Sequence, residues 1–200
     1  MIIGTHLGYA VSFNENTVRS MGRSAAGVRG IRLRENDYVI GSDILVLGSD
    51  VFVISEKGYG KRTPVSEYPI KGRGGKGIKT SNITEKNGPL AGLTIVNGDE
   101  DIMVITNKGV LIRFNVADVS QTGRSTLGVH LINLEDDSTV STIAKVDPEP
   151  KDDEDQSDEE THADADASTG GENEHDLMKH GVQDLADREL AHQENEEQDK

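Results

Sequence analysis

The sequence predicts an all-β protein built of propeller-like blades and followed by a disordered acidic tail. Three observations predict it. A unit of about fifty residues recurs three times, each copy is rich in β-branched residues broken by glycine turns, and the charge changes abruptly at residue 147.

The repeat is read from matched positions. The segments IIGTHLGYAVSF from Ile2, VISEKGYGKRT from Val53 and VITNKGVLIRF from Val104 share one pattern: an apolar pair, a small polar residue, two variable residues and a glycine before a short strand. Their glycines, Gly8, Gly58 and Gly109, are 50 and 51 positions apart. A second motif follows in each copy, GRSAAGV, GRGGKGI and GRSTLGV, with Arg23, Arg73 and Arg124 in one slot. Leu33, Ile83 and Leu134 keep the same spacing, as do Val46, Val96 and Val146.

The elements follow in order. Thr5–Gly8, Ser55–Gly58 and Thr106–Gly109 read as hairpin loops with glycine where φ must be positive. Strands are expected near 1–4, 9–13, 28–34 and 40–47, and at matching positions in the other units. Four strands in about fifty residues is the size of a propeller blade. The blades therefore span 1–50, 51–101 and 102–146. The chain has only seven Phe and Tyr and no Trp, so blade-on-blade packing should rest on Val, Ile and Leu; Tyr9, Tyr38, Tyr59 and Tyr68 are read as packing residues. A repeat unit relies on its neighbours to bury its apolar face. Three blades make an arc with two exposed ends, and Met1 runs straight into the first strand. The expectation is a C-terminal piece of a longer protein.

Residues 147–200 are of different composition. They carry 21 acidic and 4 basic residues, a net charge of −17, against +2 for the residues before them. With almost no large apolar side chain before residue 176, this segment cannot offset the entropy of ordering. Met178, Val182 and Leu185 stand at helical spacing, interrupted by Gly181.

Several function classes lose support. Without cysteine there is no disulfide framework, thiolate metal site or cysteine nucleophile, and no serine sits in an elbow pattern. The N-terminus lacks the pattern of a signal peptide and no apolar run spans a membrane, which points to the cytosol. Gly72 and Gly77 have the spacing of a phosphate-binding P-loop, but Ile78 stands where its lysine must be; from Gly58, Thr63 replaces the third glycine of a dinucleotide pattern. His162, Asp164 and Asp166, or His175 with Asp176, offer only loose metal ligation on an acidic tail, so no metal site is assigned.

The Gly-Arg motif carries the functional reading. Its turn glycines (Gly22 and Gly27; Gly72, Gly74, Gly75 and Gly77; Gly123 and Gly128) let a backbone approach phosphates, and its cations neutralise them. Equivalent positions on successive blades lie along one rim. Arg23, Arg73 and Arg124 would form a curved basic track, thickened by Lys71, Lys76 and Lys79, with Arg29, Arg32, Arg34, Lys61, Arg62 and Arg113 as further candidates. Such a rim binds a bent duplex without reading bases. A tethered tail of −17 beside it would compete with DNA or else serve only as a solubility tail, and the residues favour neither.

The stretches SEKGYGKRTPVSEYPIKGRGGKGIKTSNITEKNG, ITNKGVLIRFNVADVSQTGRSTLGVHLI and VRSMGRSAAGVRGI resemble the C-terminal domain family of bacterial DNA gyrase A, over roughly residues 1–147. The resemblance implies a six-bladed β-pinwheel, a propeller variant with strands exchanged between blades, of which this chain supplies about three. It implies double-stranded DNA as partner, wrapped for ATP-dependent negative supercoiling, and assembly with the rest of gyrase A and with gyrase B as an A2B2 heterotetramer. It implies a cytoplasmic, chromosome-associated setting and no catalytic residue or cofactor in this chain, ATP and Mg²⁺ being bound elsewhere in the holoenzyme. Lys71–Gly77 keeps R-G-G-K-G of the family's Q-R-R-G-G-K-G heptapeptide but has Lys71 and Gly72 in its first two places, and so reads as the middle-unit equivalent of that box. The C-terminal domain of topoisomerase IV is the nearest related alternative. An interaction propeller whose basic loops bind acidic partners is the alternative from another class.

Overall fold

The computed structural model describes residues 1–148. The tail, its helical spacing and its loose metal ligands lie outside the described residues. Three antiparallel sheets form, each begun by a hairpin. In the first, β1 (Ile2–Thr5) pairs with β2 (Tyr9–Ser12) and with β3 (Val39–Asp43). In the second, β4 (Asp50–Ser55) pairs with β5 (Tyr59–Pro64) and with β7 (Leu90–Val96). In the third, β8 (Asp101–Thr106) pairs with β9 (Leu111–Asn115) and with β11 (Val140–Val146). The hairpin glycines are needed: Gly8, Gly58 and Gly109 have φ of 79°, 77° and 80°, a region that residues with a side chain seldom adopt.

The remaining strands cross between units. β6 (Ile78–Lys79) comes from the second unit and pairs with β2, so the first sheet runs β3-β1-β2-β6. β10 (Val129–His130) comes from the third unit and pairs with β5, giving β10-β5-β4-β7. The third sheet, β11-β8-β9, has no such fourth strand among the described residues. A unit of sequence and a sheet of structure are therefore not the same set of residues.

This exchange corrects the expected strand at 28–34. In the later units the matching segments form strands of only two residues, and residues 28–34 form none. Extended backbone becomes a strand only beside an edge that takes its hydrogen bonds, and the segment at 28–34 has no such edge among the described residues. The expected strand at 40–47 is likewise shorter, because the register pairs Asp43 with Ile2 and β1 offers no partner beyond it.

Packing follows the period of two. Every residue of β4 is buried, because its sheet is covered on both faces. Val51 and Val53 join Ile2, Ala10, Leu93 and Ile95 in one core, while Phe52 and Ile54 join Ile102, Val104, Val116 and Val119 in the next. The cores rest on Val, Ile and Leu as composition predicted, with Phe52 and Tyr68 as aromatic additions. Sheets contact one another through β3, β7 and β11. These form the inner edges, which leaves β6 and β10 at the outer edges. Asp43 joins two sheets on the inner side, accepting hydrogen bonds from Thr94 Oγ1 and the Ile95 amide at 2.9 Å each. Among the described residues no helix is long and apolar enough to cross a membrane.

Candidate nucleic-acid interface

The Gly-Arg loops lead directly into the exchanged strands, and this positions them. Gly77 and Gly128, at φ 74° and 89°, open β6 and β10. A Cβ on Gly77 would stand 2.7 Å from the Ala10 oxygen, and one on Gly128 2.8 Å from the Gly60 oxygen, so both the conformation and the close approach demand glycine. The loops before them lie at the outer edge of the neighbouring sheet.

There the loops are tied into one belt. Gly74 donates from its amide to the Gly30 carbonyl, and Arg32 donates from its amide to the Gly75 carbonyl at 2.8 Å. Arg34 donates from Nη1 to the Lys76 carbonyl at 2.8 Å, and its guanidinium lies 3.2 Å from the centre of the Tyr9 ring. The next link has the same form. Asn82 donates from its amide to the Thr126 carbonyl at 3.1 Å, and Arg124 donates from Nη1 to the Lys79 carbonyl at 2.6 Å. Along the outer edge, Arg29, Arg32, Arg34, Arg73, Lys76, Lys79 and Arg124 follow one another on hydrogen-bonded backbone.

Exposure varies along the belt. Lys71, Arg73, Lys76 and Lys79 are exposed or nearly so. Arg73 donates from Nε to the Thr17 carbonyl at 3.2 Å, and Lys79 from Nζ to Asn82 Oδ1 at 3.1 Å. Arg124 is half-buried, and its amide donates to Glu67 Oε2 at 2.9 Å. Arg23 is exposed on the first loop, where no atom stands within 4 Å of a Cβ built on Gly22.

Three of the candidate cations hold the fold together instead. Lys61 is buried, 1% exposed. Its Nζ donates to the carbonyls of Gly123, Arg124 and Thr126 at 2.8, 2.6 and 3.0 Å, with Thr126 Oγ1 at 3.1 Å. An ammonium has three protons, so none is left for a phosphate. Burial pushes its pKa down to about 8, against the pull of Glu67. Arg62 lies 3.5 Å from Asp50 and donates from Nε to the Val119 carbonyl. Arg113 donates from Nε to Asp101 Oδ2 at 2.7 Å. Asp50 and Asp101 start β4 and β8, so these two pairs are one repeated staple at the base of a hairpin.

The repeat held the signal for Lys61. Its equivalents are Val11 and Ile112, which mark an inward-facing position. The stacking of Arg34 on Tyr9 left no comparable trace, because the other units place Thr84 and Glu135 in the slot of Arg34.

A family model described as "DNA gyrase C-terminal domain, beta-propeller" matches residues 1–45, 49–97 and 100–147. DNA gyrase A of Staphylococcus aureus (strain NCTC 8325 / PS 47) is 52% identical over 155 residues, which is 76% of this chain and 18% of that protein. The chain thus spans under a fifth of the length of that relative. The solved C-terminal domain of DNA topoisomerase IV superposes with a TM-score of 0.69 at 26% identity, covering 73% of this chain and 46% of that one. The solved DNA gyrase A C-terminal domain superposes with a TM-score of 0.63 at 24% identity, covering 72% and 50%.

Proposed function

Since the chain belongs to the DNA gyrase C-terminal domain family, we propose that it binds duplex DNA along its outer belt of Gly-Arg loops and bends it there. The observation that carries this reading is the linkage of those loops: basic side chains of three successive units follow one edge on continuous, hydrogen-bonded backbone. Point charges along a curve favour a curved polyanion. Smooth bending of a 20–30 base-pair site costs on the order of 1–6 kcal/mol, which phosphate contacts along the belt must offset. Among the described residues there is no α-helix, and the 3-10 turns at this edge are three residues long, too short to lie in a major groove, so binding ranks sequences by deformability and not by base edges.

In the proposed larger setting, the belt presents duplex to a type II topoisomerase that uses ATP to introduce negative supercoils. The remainder of gyrase A together with gyrase B, as an A2B2 assembly in the cytoplasm, would supply the cleavage and ATPase chemistry. The residues proposed to meet phosphate are Arg23, Arg29, Arg32, Arg34, Lys71, Arg73, Lys76, Lys79 and Arg124.

Binding of the full chain to linear duplexes of unrelated sequence tests this. If about six phosphates are neutralised, log affinity falls with log salt at a slope of roughly −5. Changing Arg23, Arg73 and Arg124 together to alanine lowers that slope by about 3 and weakens all sequences alike. Circles nicked and resealed in the presence of the chain should change linking number. Absence of binding at low salt would favour the interaction-propeller alternative.

A further inference from the structure

The units do not fill the basic slots of the belt alike. From residue 20 the first unit reads SMGRSAAGVRG, from residue 70 the second reads IKGRGGKGIKT, and from residue 121 the third reads QTGRSTLGVHL. The slots of Lys71, Lys76 and Lys79 hold Thr122, Leu127 and His130 in the third unit. Its arginine, Arg124, is half-buried and leans back on the second unit, donating from Nη1 to the Lys79 carbonyl. In that third stretch, His130 is the other side chain that can carry positive charge.

Strand pairing puts His130 where Lys79 stands in the unit before. β6 pairs Lys79 with Tyr9, and β10 pairs His130 with Tyr59, each at the outer edge of its sheet. Both side chains are exposed, as is that of Arg29 in the matching slot of the first unit. The His130 ring stands edge-on to the Tyr59 ring, with 4.9 Å between centres and 62° between planes. It makes no hydrogen bond or ion pair among the described residues, so its nitrogens are available to a ligand.

The charged and titratable groups on the elements packed around it are of both signs. Tyr59 and Lys61 lie on β5, and Glu56 and Lys57 on the hairpin before it. Glu85 and Lys86 lie on the turn at 84–88, and Arg124 on the loop that leads into β10. Lys86 stands 5.7 Å from the centre of the Tyr59 ring, Lys57 donates to the Glu85 carbonyl, and Lys61 is held by the loop carbonyls. No carboxylate among the described residues pairs with the imidazole, so a phosphate meets no resident rival there.

Given duplex binding along the belt, we propose that His130 is a further phosphate contact, on the third unit, and that it makes this contact as imidazolium. The second unit grips DNA with lysine and arginine, which stay charged far above neutral pH. A histidine is a cation only below about pH 6.5. The third unit, otherwise dependent on the half-buried Arg124, gains a second contact when its histidine is charged. Phosphate favours the charged form, so binding takes up a proton at this site, and acidification extends the bound arc onto the third unit.

The test is the salt dependence of duplex binding by the full chain near pH 5.5 and near pH 7.5, on either side of the ordinary histidine value of about 6.5. Both conditions lie below the Lys61 value of about 8, so the ammonium behind the third loop stays charged. The parent is compared with His130→Gln, which never charges, and His130→Lys, which always does. Lysine already fills the equivalent slot of the second unit, so His130→Lys keeps the fold; circular dichroism and melting temperature check both variants. His6 and the histidines after residue 148 titrate alike in all three proteins and drop out of the comparison.

At the lower pH the salt slope of the parent should be steeper than that of His130→Gln by about 1, the share of one phosphate. At the higher pH His130→Lys should be steeper than the parent by about the same amount. The gap between the parent and His130→Gln should narrow as pH rises. A gap of equal size at both pH values overturns the proposal, and so does a His130→Lys slope equal to that of the parent at the higher pH. In either case the duplex is still bound and the belt keeps its function. A parent that binds no duplex at low salt at either pH overturns both.

Discussion

The second and third Gly-Arg loops share a backbone and differ in what stands behind them. Behind Gly123–Thr126 is the buried ammonium of Lys61, which holds three carbonyls. Behind Gly72–Gly77 is Val11, and a cavity of about 190 Å³ lies between that strand and the loop. The third loop is clamped from within. The second is held from its flank, through residues 30–34, and presents Lys71, Arg73 and Lys76 outward. The repeat specifies where a loop goes, while one inward side chain specifies how firmly it is held.

The two loops differ most at Lys61. Lys61→Met should leave three carbonyls short of a donor, at about 1–3 kcal/mol each where water does not replace it. A loss of roughly 3 kcal/mol or more is expected, read as a fall in melting temperature of about 6–12 °C. No fall would mean the clamp is ornamental.

The same pair of proteins carries a pH signature. The folded-state pKa of Lys61, about 8, lies below the ordinary lysine value of 10.5. Between those limits the unfolded chain binds more protons than the folded one, so stability rises with pH. Below pH 8 the gap between the parent and Lys61→Met should be flat, and it should widen from pH 8 toward 10.5. Thermal melts at about one half-unit below the folded pKa and about one unit below the unfolded one read it. A gap that narrows would mean that the carbonyls favour the ammonium more than burial penalises it.

Smaller effects separate the two arginines. Arg124→Ala removes the bond to the Lys79 carbonyl from a half-buried site and should cost about 1 kcal/mol. Arg73→Ala, on an exposed loop, should stay within about 0.5 kcal/mol. Each should lower the salt slope of DNA binding by about 1. Equal stability losses would erase the distinction between clamped and presented loops.

The clamp can also be transplanted from the third loop to the second. Val11→Lys places an ammonium behind the second loop, beside the cavity. Amide exchange at 73–76 should slow several-fold, in line with about 1 kcal/mol per added hydrogen bond. Unchanged exchange would show that the second loop cannot close on a cation as the third does.

Much of this was legible in residue order. The three hairpins, their glycines and the reliance on Val, Ile and Leu all follow from local rules of period and backbone freedom. So does the shared slot of Arg23, Arg73 and Arg124. The sorting of the cations was less legible. Lys61, Arg62 and Arg113 look like Lys76 and Arg73 in composition, yet they bond inward. Only for Lys61 did the sibling residues Val11 and Ile112 mark the direction.

Residue order alone dictates what each unit can form, because hairpin turns and alternating burial depend on neighbours in the chain. It does not dictate which sheet a short extended segment joins. Ile78–Lys79 and Val129–His130 become strands on the preceding unit's sheet, while the equivalent Val28–Arg29 stays unpaired among the described residues. The same kind of segment has three positions and two outcomes. Strand pairing is settled by the edge that the tertiary structure brings alongside, and a backbone amide without that edge has only water to bond.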